Sequence, residues 1–102
     1  MADRSGSPKR DLKEQRQAAT ALAIAALTFI AGEPERLGRF LALTGVGPES
    51  IRAAASEPDF LVGVLDHLAG DEALLLAFAR ENDFRPEDVA RASEVLAGPS
   101  DR

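Results

Sequence analysis

Thr44-Gly45-Val46-Gly47-Pro48-Glu49-Ser50-Ile51-Arg52 returns later in the chain as Asn82-Asp83-Phe84-Arg85-Pro86-Glu87-Asp88-Val89-Ala90. Each copy reads apolar, any residue, Pro, Glu, Ser or Asp, then a β-branched residue. Each also follows an apolar stretch with a Phe at the matched position, Phe40 and Phe78. Proline is harmless at a first helical position, where its missing N–H would have had no partner. Each copy therefore reads as a turn followed by a helix start, one helix–turn–helix unit used twice. Val46 and Ile51, like Phe84 and Val89, stand five apart across the helix starts. That is the spacing of a hydrophobic staple, so all four are expected to be buried.

Upstream of the first copy, Leu37, Phe40, Leu41 and Thr44 recur at i, i+3, i+4 and i+7, a helix that Pro34 opens. Before it, a long helix is expected from about Lys9 to Ala31, closed by Gly32. Leu12, Ala19, Leu22, Ala23, Ala26, Phe29 and Ile30 fall on one stripe of that helix. Ala21, Ala25 and Thr28 lie opposite, small enough to admit another helix, so this helix is expected to be central. Pro48 opens a third helix to about Ala55. Ser56-Glu57-Pro58 starts a fourth, with Leu61, Val64, Leu65 and Leu68 inward and Gly70 ending it in the left-handed conformation. A fifth runs through Leu75, Phe78 and Ala79. Pro86 opens the last, with Val89, Ala92 and Leu96 inward and Gly98-Pro99 as its stop. No segment alternates with period two over a useful length. The fold class is all-α: a compact bundle of about six helices, the long N-terminal one packed on two helix–turn–helix units joined by a connector helix. Residues 1–8 and 99–102 are expected to be tails around one domain over 9–98.

Composition narrows what such a bundle does. A chain of 102 residues builds one modest core. Its five aromatics are all Phe, so no Tyr or Trp platform exists for stacking bases. With no cysteine, disulfides, thiolate metal sites and Cys nucleophiles are excluded. The net charge of −5 is unevenly spread. Residues 1–17 carry five basic and three acidic side chains; the rest carries seven arginines, fourteen carboxylates and no lysine. An acidic body repels phosphate backbones, and the basic head reads as a solubilising lead into the first helix. The apolar run Ala18–Ala31 is shorter than the roughly twenty residues that span a bilayer, and Phe29 and Ile30 stand where a signal peptidase needs small residues. A buried core helix in a cytoplasmic protein is the expectation, with no membrane partner.

Leu43-Thr44-Gly45-Val46-Gly47-Pro48 resembles the helix-hairpin-helix family, whose mark is a Gly–apolar–Gly turn between two helices. That resemblance implies a phosphate held by the backbone N–H groups of Gly45, Val46 and Gly47, giving DNA binding without sequence readout. The order of hairpin, connecting helix and hairpin over residues 34–97 resembles the tandem form. The sequence departs from the family at Glu49, where a Lys or Arg is common, and at Ile51, where a small Ala is. In the second copy Asp83 and Arg85 replace both glycines. A wider resemblance runs through Glu35-Arg36-Leu37-Gly38-Arg39-Phe40-Leu41, the Gly-Val-Gly-Pro turn, Asp71-Glu72-Ala73-Leu74-Leu75-Leu76-Ala77-Phe78 and Pro86-Glu87-Asp88-Val89. There the chain is similar to an uncharacterised bacterial family of small helical proteins, a domain of unknown function. This implies a bacterial, cytosolic protein and supplies no substrate or catalytic residue.

Single residues add little chemistry. His67 is the only histidine, and the adjacent Asp66 points about 100° away on a helix, so a half-buried or solvated role is expected. The acids near helix starts (Glu33, Glu35, Asp71, Glu72, Asp83, Glu87, Asp88) complement the helix dipole and read as caps, not metal ligands. Arg39 lies four residues beyond Glu35, in salt-bridge range. Leu74, Leu75 and Leu76 span about 200° of a helix, so one of them must face a neighbour or a partner. Nothing points to an enzyme, a cofactor or a metal. The function expected is protein interaction, through Arg36, Arg39, Leu74 and Leu76, with weak DNA binding at Gly45–Gly47 as the alternative.

Overall fold

The apolar periodicities become six α-helices, with no strand, among the residues that the computed structural model describes: 8–98, with side chains from Asp11 onward. They are α1 (Pro8–Ala31), α2 (Pro34–Thr44), α3 (Ile51–Ala54), α4 (Pro58–Ala69), α5 (Glu72–Asn82) and α6 (Pro86–Ala97). A 3-10 turn over Pro48–Ser50 precedes α3. The expected tails, apart from Pro8, lie outside the described residues. Proline stands at the first position of α2, α4 and α6, after an extended cap residue in each case. That is where its fixed φ helps and its missing donor costs nothing.

Helices α1, α4 and α6 form the central layer and pack against one another; α2 and α5 close its sides. Ala19, Ala23 and Ala26 are buried on α1, short side chains that let α4 and α6 come close. Around them Leu22, Ile30, Leu61, Val64, Leu65, Leu68, Val89 and Leu96 make one continuous core. Burying each large apolar side chain contributes about 1.5–3 kcal/mol. The aromatics tie the sides on. Phe29 meets Phe78 edge-on at 5.5 Å, and Phe78 stacks on Phe84 at 5.7 Å. Phe40 meets Phe60 at 5.8 Å and the His67 ring at 5.1 Å. Between α4 and α6, the Ser93 hydroxyl donates to Asp66 Oδ1 at 3.0 Å.

Several local expectations need correction. Gly70 is right-handed (φ −79°, ψ −3°): its N–H donates to the Asp66 carbonyl and that of Asp71 to the Leu68 carbonyl, so a tightened last turn leads the chain out. The left-handed residues are Gly45 and Asp83. Leu12 is 58% exposed although it sits on the buried stripe, while Leu27, which the stripe omitted, is buried. The far side of α1 admits no helix at Ala21 and Thr28, which are exposed; its small residues act on the packed side. The third helix is only a 3-10 turn and four α-helical residues, with none of them buried. Val46 is accordingly half-exposed and outside the core, Ile51 and Phe84 are both half-buried against it, and Val89 is buried.

Candidate functional site

Helix α1 outruns the body it packs on. Every residue from Asp11 to Ala18 is exposed, and burial begins at Ala19. At 100° per residue Leu12 shares its direction with Ala19, Ala23 and Ile30, the middle of the buried stripe. An apolar side chain thus projects where the helix has no cover. The chain of contacts from Phe29 through Phe78 to Phe84 sets the start of α6 beside the C-terminal end of α1. From there α6 runs back antiparallel along α1 and ends at Ala97.

Along that seam the two helices leave an open groove of about 560 Å³. Ala18, Ala19 and Leu22 line it from α1, and Ala92 and Val95 from α6, with Phe84 among its walls. Gln15, Asp88 and Arg91 supply the polar lining. Asp88 is already engaged, since its Oδ2 accepts the Arg85 N–H at 2.9 Å. The groove is mostly apolar, whereas the arm beside it is polar except for Leu12 and Ala18, its cations Lys13 and Arg16 balanced by Asp11 and Glu14.

The residues singled out in the sequence are not brought together as one patch. Arg36 is taken up at the end of α1. Its guanidinium lies 4.0 Å from the centre of the Phe29 ring, Nη1 donates to the Phe29 carbonyl at 3.2 Å, and Nη2 is 3.5 Å from Glu33 Oε2. The Phe29 carbonyl also accepts the Gly32 N–H at 3.2 Å, so the guanidinium adds a second bond at the helix C-terminus and, lying over the ring, holds α2 to α1. Arg39 reaches Asp71 at 4.0 Å, not Glu35. Leu74 is half-buried against the core, and its N–H donates to the Asp71 cap at 3.2 Å. Leu76 is the leucine of the triplet left outward, 44% exposed. Leu43, four residues beyond Arg39 on α2, is 70% exposed. Composition and periodicity missed the arm and groove, although Leu12 among Lys13, Glu14 and Arg16 was a visible signal.

The Gly45–Gly47 turn has most of its donors occupied. Gly45 N–H donates to the Leu41 carbonyl at 2.8 Å and Val46 N–H to the Thr44 hydroxyl at 3.3 Å. The Glu49 carboxylate folds over Gly47, where a Cβ would come within 2.8 Å of its oxygen. An anionic group thus already covers the turn, and the helix behind it is too short to add a dipole. His67 lies nearby on α4, its ring against Phe40. Burial is the main cause holding its pKa below the usual 6.5, Asp71 opposing and Arg39 reinforcing the shift.

Residues 16–99 match the model of the family described as "Protein of unknown function (DUF3572)". The chain belongs to that family. Among curated proteins and solved structures, none matches it. No single described helix is long and apolar enough to cross a membrane.

Proposed function

We propose that this family member is a small, non-enzymatic protein-interaction domain of the cytosol, and that it holds its partner along the α1 arm and the α1–α6 groove. One observation carries the reading: Leu12 continues the core stripe of α1 yet is 58% exposed, next to an open apolar groove. Exposed apolar surface rimmed by polar groups is what interaction sites offer. The sequence-picked residues serve it less well, because Arg36 is engaged within the fold and Leu74 is half-buried, which leaves the exposed Arg39 and Leu76 without them. The non-enzymatic part rests on His67, whose ring is packed edge-on to Phe40.

Photo-crosslinking tests it. Benzoylphenylalanine replaces Gln15 or Arg91 at the groove, and Leu43 or Leu76 on the other exposed apolar positions, in cells that express the chain natively. Discrete protein adducts from the groove positions are expected. Adducts from Leu43 and Leu76 alone would move the site to the α2–α5 side; no adduct at any position would remove the interaction reading.

A further inference from the structure

We infer that residues 46–56, the chain between α2 and α4, are a strap that lifts from the body as one unit while the five longer helices stay folded. From Leu41 to Phe60 no residue is buried, a run of twenty and more than twice as long as any other between two buried residues of the body. Neither the 3-10 turn nor α3 packs broadly on any of the longer helices. Only Ile51 and Ala55 of the strap rest against the core, both half-buried.

The hydrogen bonds of the strap are its own. Ser50 N–H donates to the Gly47 carbonyl at 2.9 Å and Ala55 N–H to the Ile51 carbonyl at 2.8 Å. Ser56 and Glu57 N–H donate to the Ala53 and Ala54 carbonyls at 3.3 and 2.9 Å. Val46 N–H reaches no farther than the Thr44 hydroxyl. Neither ion pair among the described residues involves Glu49 or Arg52. Lifting therefore breaks no bond to the body and gives up only the partial burial of two side chains. Few apolar contacts and exposed, local hydrogen bonds are the marks of a segment that opens below the cost of global unfolding. Both ends are already jointed. Gly45 turns left-handed (φ 76°) after α2, and it takes new backbone angles without a side-chain penalty. Glu57 is extended (φ −103°, ψ 125°), as the following Pro58 favours, so α4 does not run on into the strap. Swinging at these two points bares the core surface under Ile51 and Ala55 and leaves the layer of α1, α4 and α6 in place.

Amide hydrogen exchange of the full wild-type chain, followed by NMR at several urea concentrations below the unfolding transition, tests this. The bonded amides of Ser50, Ala55 and Glu57 should be protected, yet exchange roughly a hundredfold or more faster than those of Leu65 and Leu68 in α4. Urea should barely change the strap rates, because little surface is exposed on lifting, and should speed Leu65 and Leu68 steeply. A core variant separates the two openings again. Leu96→Ala, at a buried position on α6, should speed Leu65 and Leu68 by roughly thirtyfold or more and leave Ala55 and Glu57 unchanged. If that variant does not fold, the urea series on the wild type decides alone. Strap amides that share the rate and urea slope of Leu65 would show that the segment leaves only with the whole molecule and overturn the strap. Strap amides at free-peptide rates would show that it is never closed and overturn it equally.

Discussion

In the first hairpin α2 ends at Thr44 and Gly45 follows in the left-handed region (φ 76°, ψ 5°); in the second α5 ends at Asn82 and Asp83 takes that place (φ 61°, ψ 37°). Thr44 donates from its hydroxyl to the Phe40 carbonyl at 2.9 Å, and Asn82 from its amide to the Phe78 carbonyl at 3.2 Å. Gly47 and Arg85 are both extended before proline. Past that proline the copies part. The second continues as twelve helical residues that bury Val89, Ala92 and Leu96; the first gives a 3-10 turn and a helix of four, with nothing buried. Pro58 is one cause, because it forces Glu57 extended (φ −103°, ψ 125°) and cuts the run short. The other is Asp88, which bonds the cap N–H of Arg85, where the first copy has an uncharged Ser50. A turn is set by a few adjacent residues; membership of the core is set by the length of helix allowed after it.

The likeness of the entering helices makes the largest prediction. Phe40 and Phe78 are both fully buried, so Phe40→Ala and Phe78→Ala should each cost about 3–5 kcal/mol. Urea denaturation of the two variants checks it, and a gap above about 2 kcal/mol would break the parallel. The unlikeness of the second helices makes the next. Phe84→Asp places a charge against Phe78 and should cost on the order of 3 kcal/mol. Val46→Asp, at a half-exposed position outside the core, should cost under about 1 kcal/mol. Equal costs would mean that the first staple is as buried as the second.

This contrast also measures how far the residues could be read directly. Helix limits, the Phe anchors and the inward faces of α4 and α6 were legible, because each rests on apolar period and a nearby Pro or Gly. The equivalence of Asp83 with Gly45 was not, since Asp enters the left-handed region less readily than Gly and only the helix end beside it selects that conformation. The Val46–Ile51 staple was over-read. Its spacing is local, but its burial depends on whether another element covers it, and of the pair only Ile51 reaches the core, half-buried, while Val46 stays outside it. The candidate site was the least legible. Arg36 looked like a free rim cation and is spent on Phe29 and Glu33. Leu12 looked like core and is exposed, because a stripe says which face is apolar and not where the body ends.

Smaller effects sharpen the two turns. Gly45→Ala should cost about 1 kcal/mol, as a side chain there must sit at positive φ. Asp83→Gly should gain up to about 0.5 kcal/mol, the relief at that φ slightly exceeding the added freedom of the unfolded chain. Gly47→Ala should be near neutral, because φ is −79° and only the movable Glu49 side chain stands in the way. Thermal melts of the three variants decide the order.

His67 links the hairpins, lying on Phe40 with Arg39 and Asp71 close by. Its pKa is lowered in the fold, so between that value and the unfolded 6.5 the unfolded chain binds more protons. Its neutral form therefore favours the fold fully above pH 6.5, and that contribution falls as pH drops through the unfolded pKa and levels off below the folded one. His67→Gln should flatten stability between about pH 7 and 5.5, and an NMR titration of the His67 ring should give a midpoint below 6.5. A midpoint above that value would mean Asp71 outweighs burial.

The smallest expected effect is none at all, and it concerns the first turn as a phosphate site. With Gly45 and Val46 N–H groups bonded internally and the Glu49 carboxylate over Gly47, a phosphate would have to displace an anion from a turn with few free donors. The acidic body adds repulsion at long range. Fluorescence anisotropy with a labelled random duplex should accordingly show no saturable binding by the wild type near physiological salt. Glu49→Lys removes the covering anion and adds a cation at the same place, so it is the variant most able to reveal a latent site. It should bind only at low salt, and with the shallow salt slope of one or two phosphate contacts. Micromolar, steeply salt-dependent binding by the wild type would show that the turn opens in solution, and it would make the first hairpin, not the α1 arm, the working end of the molecule.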